Sequence, residues 1–226
     1  MRWLLWKDYR HNRPVVIAGL FFLLAPYLIV LGVMFWPTRP ELGRWREFFA
    51  GSAVYSLCLS QLTVAVIGGN AIACERVDRS AEFLASLPIT RWRILASKLL
   101  LSLAIIAAIW LFNAIPLCCW FPLACPEPNA YQDGLRILAY SALTGLLFFG
   151  VAWFLSSMLA SPTFSICGAL AVPPLFFATI YFMVYLLGTE WWLDLYAGLF
   201  YTIFCLSVAP VCFGIGTWYY LRRVEP

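Results

Sequence analysis

The chain has 226 residues, of which 63% are hydrophobic and 12% charged, with a formal net charge of +4. An average soluble domain carries about 25% charged residues, so this composition excludes a soluble globular fold and marks an integral membrane protein. The small positive charge offers no basic, aromatic-interleaved surface of the kind that binds nucleic acid.

The chain opens on Met1–Arg13, which mixes Trp3, Leu4, Leu5, Trp6 and Tyr9 with Arg2, Lys7, Arg10 and Arg13. This composition predicts a helix lying in the headgroup layer of the membrane. Trp3 and Trp6 would sit at the interface, with Lys7 and Arg10 snorkelling toward lipid phosphates. An ordinary basic flank is the competing reading. The segment is charged and lacks a small-residue cleavage site, which argues against a cleaved signal peptide.

Six apolar runs long enough to cross a bilayer follow, at about 15–36, 50–74, 94–121, 135–160, 163–187 and 196–221. The expected fold is therefore an all-α membrane domain with short connections and no room for a separate soluble domain. The first connection, Pro37–Phe49, places Leu42, Trp45 and Phe49 on one stripe and predicts a short interfacial helix. The next outer connection, Pro122–Gly134, holds Pro122, Pro126 and Pro128 and reads as irregular. Gly188–Asp194 supplies Trp191 and Trp192 to an aromatic belt, and Ala160–Thr163 reads as a tight turn around Pro162. Pro26, Pro116, Pro173, Pro174 and Pro210 fall inside spans. Such breaks persist in lipid where neighbouring groups satisfy the freed carbonyls, and they favour helices that can bend. Ala65 to Gly69 and Ser141 to Gly145 give spacings that permit close helix contact.

The basic residues set an expected orientation. Arg2, Lys7, Arg10, Arg13, Arg76, Arg79, Arg91, Arg93, Lys98, Arg222 and Arg223 fall on one side of the six-span arrangement; Arg39, Arg44, Arg46 and Arg136 fall on the other. The positive-inside rule then places both termini and the 75–93 connection in the cytoplasm.

Catalytic chemistry finds little support. No Asp, Glu, Lys or Arg occupies the middle of a span; Gln61, Asn70 and Asn113 are the main polar residues there. Carriers coupled to an ion gradient need an intramembrane ionisable group, so an uphill mover built this way takes its energy from another chain. The one histidine, His11, lies on the N-terminal flank, and neither a phosphate-binding P-loop nor a metal-ligand spacing is present. No catalytic, cofactor-binding or metal residue is therefore assigned. Cys58, Cys74, Cys167, Cys205 and Cys212 read as small apolar residues in spans. Cys118, Cys119 and Cys125 lie near the outer face, where an oxidising compartment would permit a disulfide.

The most informative stretch is Glu75–Arg93. Glu75, Arg76, Asp78, Arg79 and Glu82 crowd into its start, while Val77, Ala81, Leu84 and Leu87 recur at helical spacing with Phe83 beside them. Pro88 stops the helix. A short amphipathic helix over 75–88, between two spans, predicts a docking element for a cytoplasmic partner.

With these residues in view, the chain resembles the ABC-2 type permeases, the membrane subunits of ATP-binding-cassette exporters. Members of that family have an interfacial N-terminal helix, six spans, and an amphipathic coupling helix between spans two and three. The coupling segment runs Glu-Arg, then an acidic leucine-rich turn, then Leu-Pro-Ile-Ser/Thr-Arg, then a Lys opening span three. Here the matching residues are Glu75 and Arg76, then Glu82, Phe83 and Leu84, then Leu87, Pro88, Ile89, Thr90 and Arg91, and finally Lys98. Trp6-Lys7-Asp8-Tyr9-Arg10 is similar to the start of such permeases. The pattern departs at Asp78-Arg79-Ser80, where many members carry a Gly-Thr or Gly-Ser pair.

The resemblance implies that residues 1–226 form a single ABC-2 type transmembrane domain in the plasma (inner) membrane. It implies a separate cytoplasmic P-loop ATPase that binds ATP and Mg, with no cofactor in this chain. It also implies a second permease copy, identical or paralogous, across which the substrate pathway forms. Leu84, Leu87 and Phe83 would be the apolar anchors in a groove of the ATPase. Glu75, Arg79 and Glu82 would set register, Glu75 with Arg79 at i, i+4 and Arg79 with Glu82 at i, i+3. Two other readings stay open at this point: a non-transporting membrane assembly or anchor subunit, and a membrane-embedded lipid-modifying enzyme.

Overall fold

The computed structural model describes residues 2–35, 44–77, 90–119, 130–187 and 191–223. The described residues form six long helices: α1 (Arg2–Met34), α2 (Arg44–Val77), α3 (Arg91–Cys119), α4 (Ala130–Met158), α5 (Pro162–Leu187) and α6 (Trp191–Arg223). All six are long and apolar enough to cross a membrane, as the sequence predicts, and no strand occurs among the described residues.

The helix ends differ from the predicted spans in instructive ways. α1 is unbroken through Pro14, so the N-terminal basic segment and the first span are one helix of 33 residues. At about 1.5 Å per residue it is about 50 Å long, well beyond a hydrocarbon core of about 30 Å. Pro14 lies in the fourth turn and leaves the Arg10 carbonyl without its usual helical donor, yet the helix continues through it. α2 begins at Arg44, so Arg44–Phe49 forms its first turns, and α4 begins at Ala130 inside the stretch predicted to be irregular. The turn between α4 and α5 matches expectation. Ser161 precedes Pro162 at the first helical position, where its missing N–H costs nothing, and the Ser165 amide closes the turn on the Ser161 carbonyl at 3.4 Å.

The chain divides into two units, Met1–Val64 with Ser97–Ala142, and Ala65–Ala96 with Leu143–Pro226. In the first, Ala53, Leu57 and Leu117 form a buried cluster with Tyr27, Trp110, Ile137 and Leu138 against it. The polar residues of its spans serve to join helices. Tyr27 Oη donates to Asn113 Oδ1 at 2.9 Å, Ser56 Oγ to the Leu23 carbonyl at 2.8 Å, and Gln61 Nε2 to Ser141 Oγ at 2.8 Å. Asn113 is fully buried, and its Nδ2 donates to the Ile109 carbonyl one turn back. In lipid, where apolar side chains gain nothing by leaving water, such bonds and tight contact hold helices together.

The second unit is built around α4. Leu147, Val151 and Ala152 of α4 meet Ala169 of α5 and Tyr201, Cys205 and Ala209 of α6 in one buried cluster. Small residues set the spacing. A Cβ on Gly150 would lie 2.6 Å from the Ala209 carbonyl oxygen, and one on Gly216 would lie 2.9 Å from Phe154 Cα. α4 and α6 therefore touch backbone to backbone. Trp153 is fully buried at this contact and donates its indole N–H to Thr217 Oγ1 at 3.2 Å. Phe176 stacks on Phe204 at 4.2 Å, joining α5 to α6. Outward faces of α5 and α6 expose Phe164, Leu175, Phe182, Ile203 and Leu206, as surfaces bathed by lipid do.

Candidate functional site

The candidate site is the pair of roots from which the 75–88 segment springs. Glu75, Arg76 and Val77 are the last residues of α2. The rest of the predicted coupling helix, with Arg79, Glu82, Phe83, Leu84, Leu87 and Pro88, lies outside the described residues. The described residues resume at Thr90, whose carbonyl accepts the amide of Arg93 at 2.9 Å as α3 starts.

Both flanks are held by arginine. Arg76 Nη2 donates to the Ser157 carbonyl, and Nη1 reaches the Leu159 carbonyl at 3.5 Å. These are carbonyls at the C-terminal end of α4 that have no partner within their own helix. A guanidinium there satisfies them and meets the negative end of the helix dipole. On the other flank, Arg91 Nη1 approaches the Leu221 carbonyl near the end of α6, at 3.4 Å. Glu75 is only 6% exposed. Of the residues assigned to the docking helix, Glu75 is buried and Arg76 reaches the end of α4.

Next to Arg76 is a contact no sequence pattern announces. Ser156 Oγ, fully buried, accepts the backbone amides of Ile72 at 3.0 Å and Ala73 at 2.9 Å. Both amides lie inside α2, where their usual acceptors would be Gly68 and Gly69. Those two glycines let neighbouring helices come close. A Cβ on Gly68 would sit 3.1 Å from the Phe149 carbonyl oxygen, and one on Gly69 would sit 2.5 Å from Ile166 Cγ1. The Gly-Gly pair is the signal that was present in the sequence; the hydroxyl that exploits it was not legible.

Within the first unit, the N-terminal segment of α1 carries the predicted interfacial residues. Trp3 and Trp6 are exposed, Trp6 at 63%, and Arg10 is exposed too. Lys7 lies 3.9 Å from the Asp8 carboxylate. Asp8 is buried, and its Oδ2 accepts a 2.6 Å hydrogen bond from Ser97 Oγ. Asp8 and Ser97 were missed as a pair, although Asp8 is the single acidic residue of the basic opening segment. Cys118 and Cys119 are free thiols, and Cys125 lies outside the described residues. Among the described residues no three His, Cys, Asp or Glu side chains are grouped as a metal site.

A family model described as ABC-2 family transporter protein matches residues 53–196, well over half of the chain and the whole of the 75–88 segment. The chain belongs to the ABC-2 transporter family. It is thus a multi-pass integral membrane protein and a component of membrane transport, in a family whose membrane subunits work with ABC ATPases. No curated protein matches the chain, and no solved structure does. In an ABC-2 membrane subunit, Arg76, Ser156 and Arg91 tie helix ends together. They fix the end of α2 and the start of α3 to the ends of two other spans.

Proposed function

We propose that this chain is the permease subunit of an ABC-type exporter, driven by ATP hydrolysis in a separate cytoplasmic ATPase. The observation that carries the reading is the ABC-2 family match, which spans the coupling segment and most of the spans. The ATPase binds ATP and Mg and receives the 75–88 helix in a surface groove. Phe83, Leu84 and Leu87 anchor it there, Glu75, Arg79 and Glu82 set its register, and Pro88 ends it. Arg76 roots the segment in the permease. Closure of two ATPases on nucleotide moves two coupling segments and shifts the spans between resting and exporting arrangements. The absence of charged residues from mid-span fits an energy source outside this chain.

The pathway forms with a second permease copy, identical or paralogous. The positive-inside distribution puts both termini and the coupling segment in the cytoplasm, in the plasma (inner) membrane. Trp3, Trp6, Lys7 and Arg10 engage the lipid interface on that side. Export as the direction follows the family resemblance.

The test is a mild-detergent pull-down of the tagged protein from its host, wild type against the Leu84→Asp, Leu87→Asp double variant. Recovery of a P-loop ATPase with the wild type, and its loss from a double variant that still runs as a monodisperse membrane protein, is the expected result. Wild type that brings down no ATPase in several detergents removes the mechanism and favours an anchor or assembly subunit.

A further inference from the structure

The last turns of α2 and the last turns of α4 are joined along their length. Gly68 lies against Ala152 and the Phe149 carbonyl. One turn on, Ser156 Oγ takes the amides of Ile72 and Ala73. One further turn on, Arg76 binds the carbonyls of Ser157 and Leu159. On α2 these positions advance by about one helical turn at each step, and their partners advance in the same direction, from Phe149 and Ala152 to Ser156 and then to Ser157 and Leu159. The two helix ends therefore run side by side in the same direction.

The chemistry of the joint is unusual for a membrane interface. Close approach of small residues is common there. A buried hydroxyl that accepts two main-chain amides of a neighbouring helix is a different bond, because it holds backbone rather than a side chain that can rotate away. Arg76 adds a charged, two-pronged contact to backbone carbonyls. The bonds of Ser156 and of Arg76 all end on main chain. Arg76 is also the last residue but one of α2 before the 78–89 segment begins.

We infer that Arg76 and Ser156 are positioning residues for energy coupling: they lash the root of the 78–89 segment to the end of α4, so that a load on the segment moves α4 with α2. From α4 the displacement reaches α5 through Leu155, which meets Gly168, and α6 through Phe154 and Trp153, which meet Gly216 and Thr217. This rests on the reading of 75–88 as the ATPase-docking element. Substitution of either residue leaves the ATPase bound and turning over but disconnects it from α4.

The experiment compares the co-purified permease–ATPase complex in lipid nanodiscs with and without ATP and vanadate, using hydrogen–deuterium exchange of peptides covering 78–89 and 150–162. In wild type, nucleotide changes exchange in both regions. In Arg76→Gln and in Ser156→Ala the change at 78–89 persists while that at 150–162 is lost, and ATP hydrolysis continues. Arg76→Lys, which keeps a cation beside the carbonyls, restores part of the response at 150–162. An unchanged response at 150–162 in both Arg76→Gln and Ser156→Ala overturns the inference. So does loss of the ATPase from the Arg76→Gln complex, which would make Arg76 a docking residue instead. If Arg76→Gln fails to fold, Ser156→Ala decides alone. Failure of the wild type to bring down an ATPase is a separate result that sinks the docking reading and this inference with it.

Discussion

Asp8 and Ser97 meet through a 2.6 Å hydrogen bond between a buried carboxylate and a buried hydroxyl, which ties the opening turns of α1 to the opening turns of α3. Hydrogen bonds to charged groups contribute about 1.5–3 kcal/mol. Asp8→Ala is expected to lower the melting temperature in mild detergent by more than Ser97→Ala, since it also leaves Lys7 without its neighbouring carboxylate. In a double-mutant cycle the two changes will be clearly less than additive. Additive losses would mean that the contact contributes nothing.

Gly150 is expected to tolerate no side chain. Its Cβ would meet the Ala209 carbonyl at 2.6 Å and Ala209 Cα at 3.1 Å, all backbone that cannot step aside. Gly150→Ala should cost about 1–3 kcal/mol through overpacking. Gly214 provides the internal control: nothing lies within 4 Å of its Cβ position. Gly214→Ala should be neutral or should stabilise by up to about 1 kcal/mol, because Ala is the better helix former. Retention of a single monodisperse peak after graded heating separates the two. Equal tolerance at both positions would show that α4 and α6 are not in contact as described.

The Gly19 and Thr63 pair predicts a rescue. A Cβ on Gly19 would lie 2.5 Å from Thr63 Cγ2, a side-chain atom. Thr63 Oγ1 is buried without a hydrogen-bond partner. Gly19→Ala alone is expected to destabilise, Thr63→Ala alone to cost little, and the double variant to recover most of the loss. Thermal stability of the three proteins in one detergent checks it, and a double variant no better than Gly19→Ala would refute it.

Tyr27 and Asn113 give a fourth expectation. Their 2.9 Å bond joins α1 to α3, with Tyr27 also edge-on to Phe112 at 5.6 Å. Polar bonds between membrane helices couple by about 0.6 kcal/mol on average and at most about 1.7. Tyr27→Phe should therefore cost little, because the ring contact survives. Asn113→Ala should cost more, because it also opens space at a fully buried site. Reversible unfolding in mixed micelles measures both.

The number and placement of the spans were legible because about 20 apolar residues in a row have one structural use. Helix ends were less so. The basic opening segment read as a separate interfacial helix, and the structure joins it to the first span in one continuous helix. The 75–88 segment reads as an amphipathic pattern, and residues 78–88 of it lie outside the described ones. Glu75 and Arg76 read as part of that charged surface, and the bond from Arg76 to the Ser157 carbonyl was not foreseen. A charge pattern records which residues are ionised and not which carbonyls they meet. Ser156 is one of several serines near the end of α4, and nothing in its spacing marks it as the acceptor of two amides.

The contact of Gly150 with Ala209, and of Gly216 with Phe154, bears on the route of whatever is carried. Backbones this close leave no gap for a water molecule, let alone an amphiphile. While these contacts hold, α4 and α6 are sealed to each other at two levels, and any motion that parts the two helices has to break both.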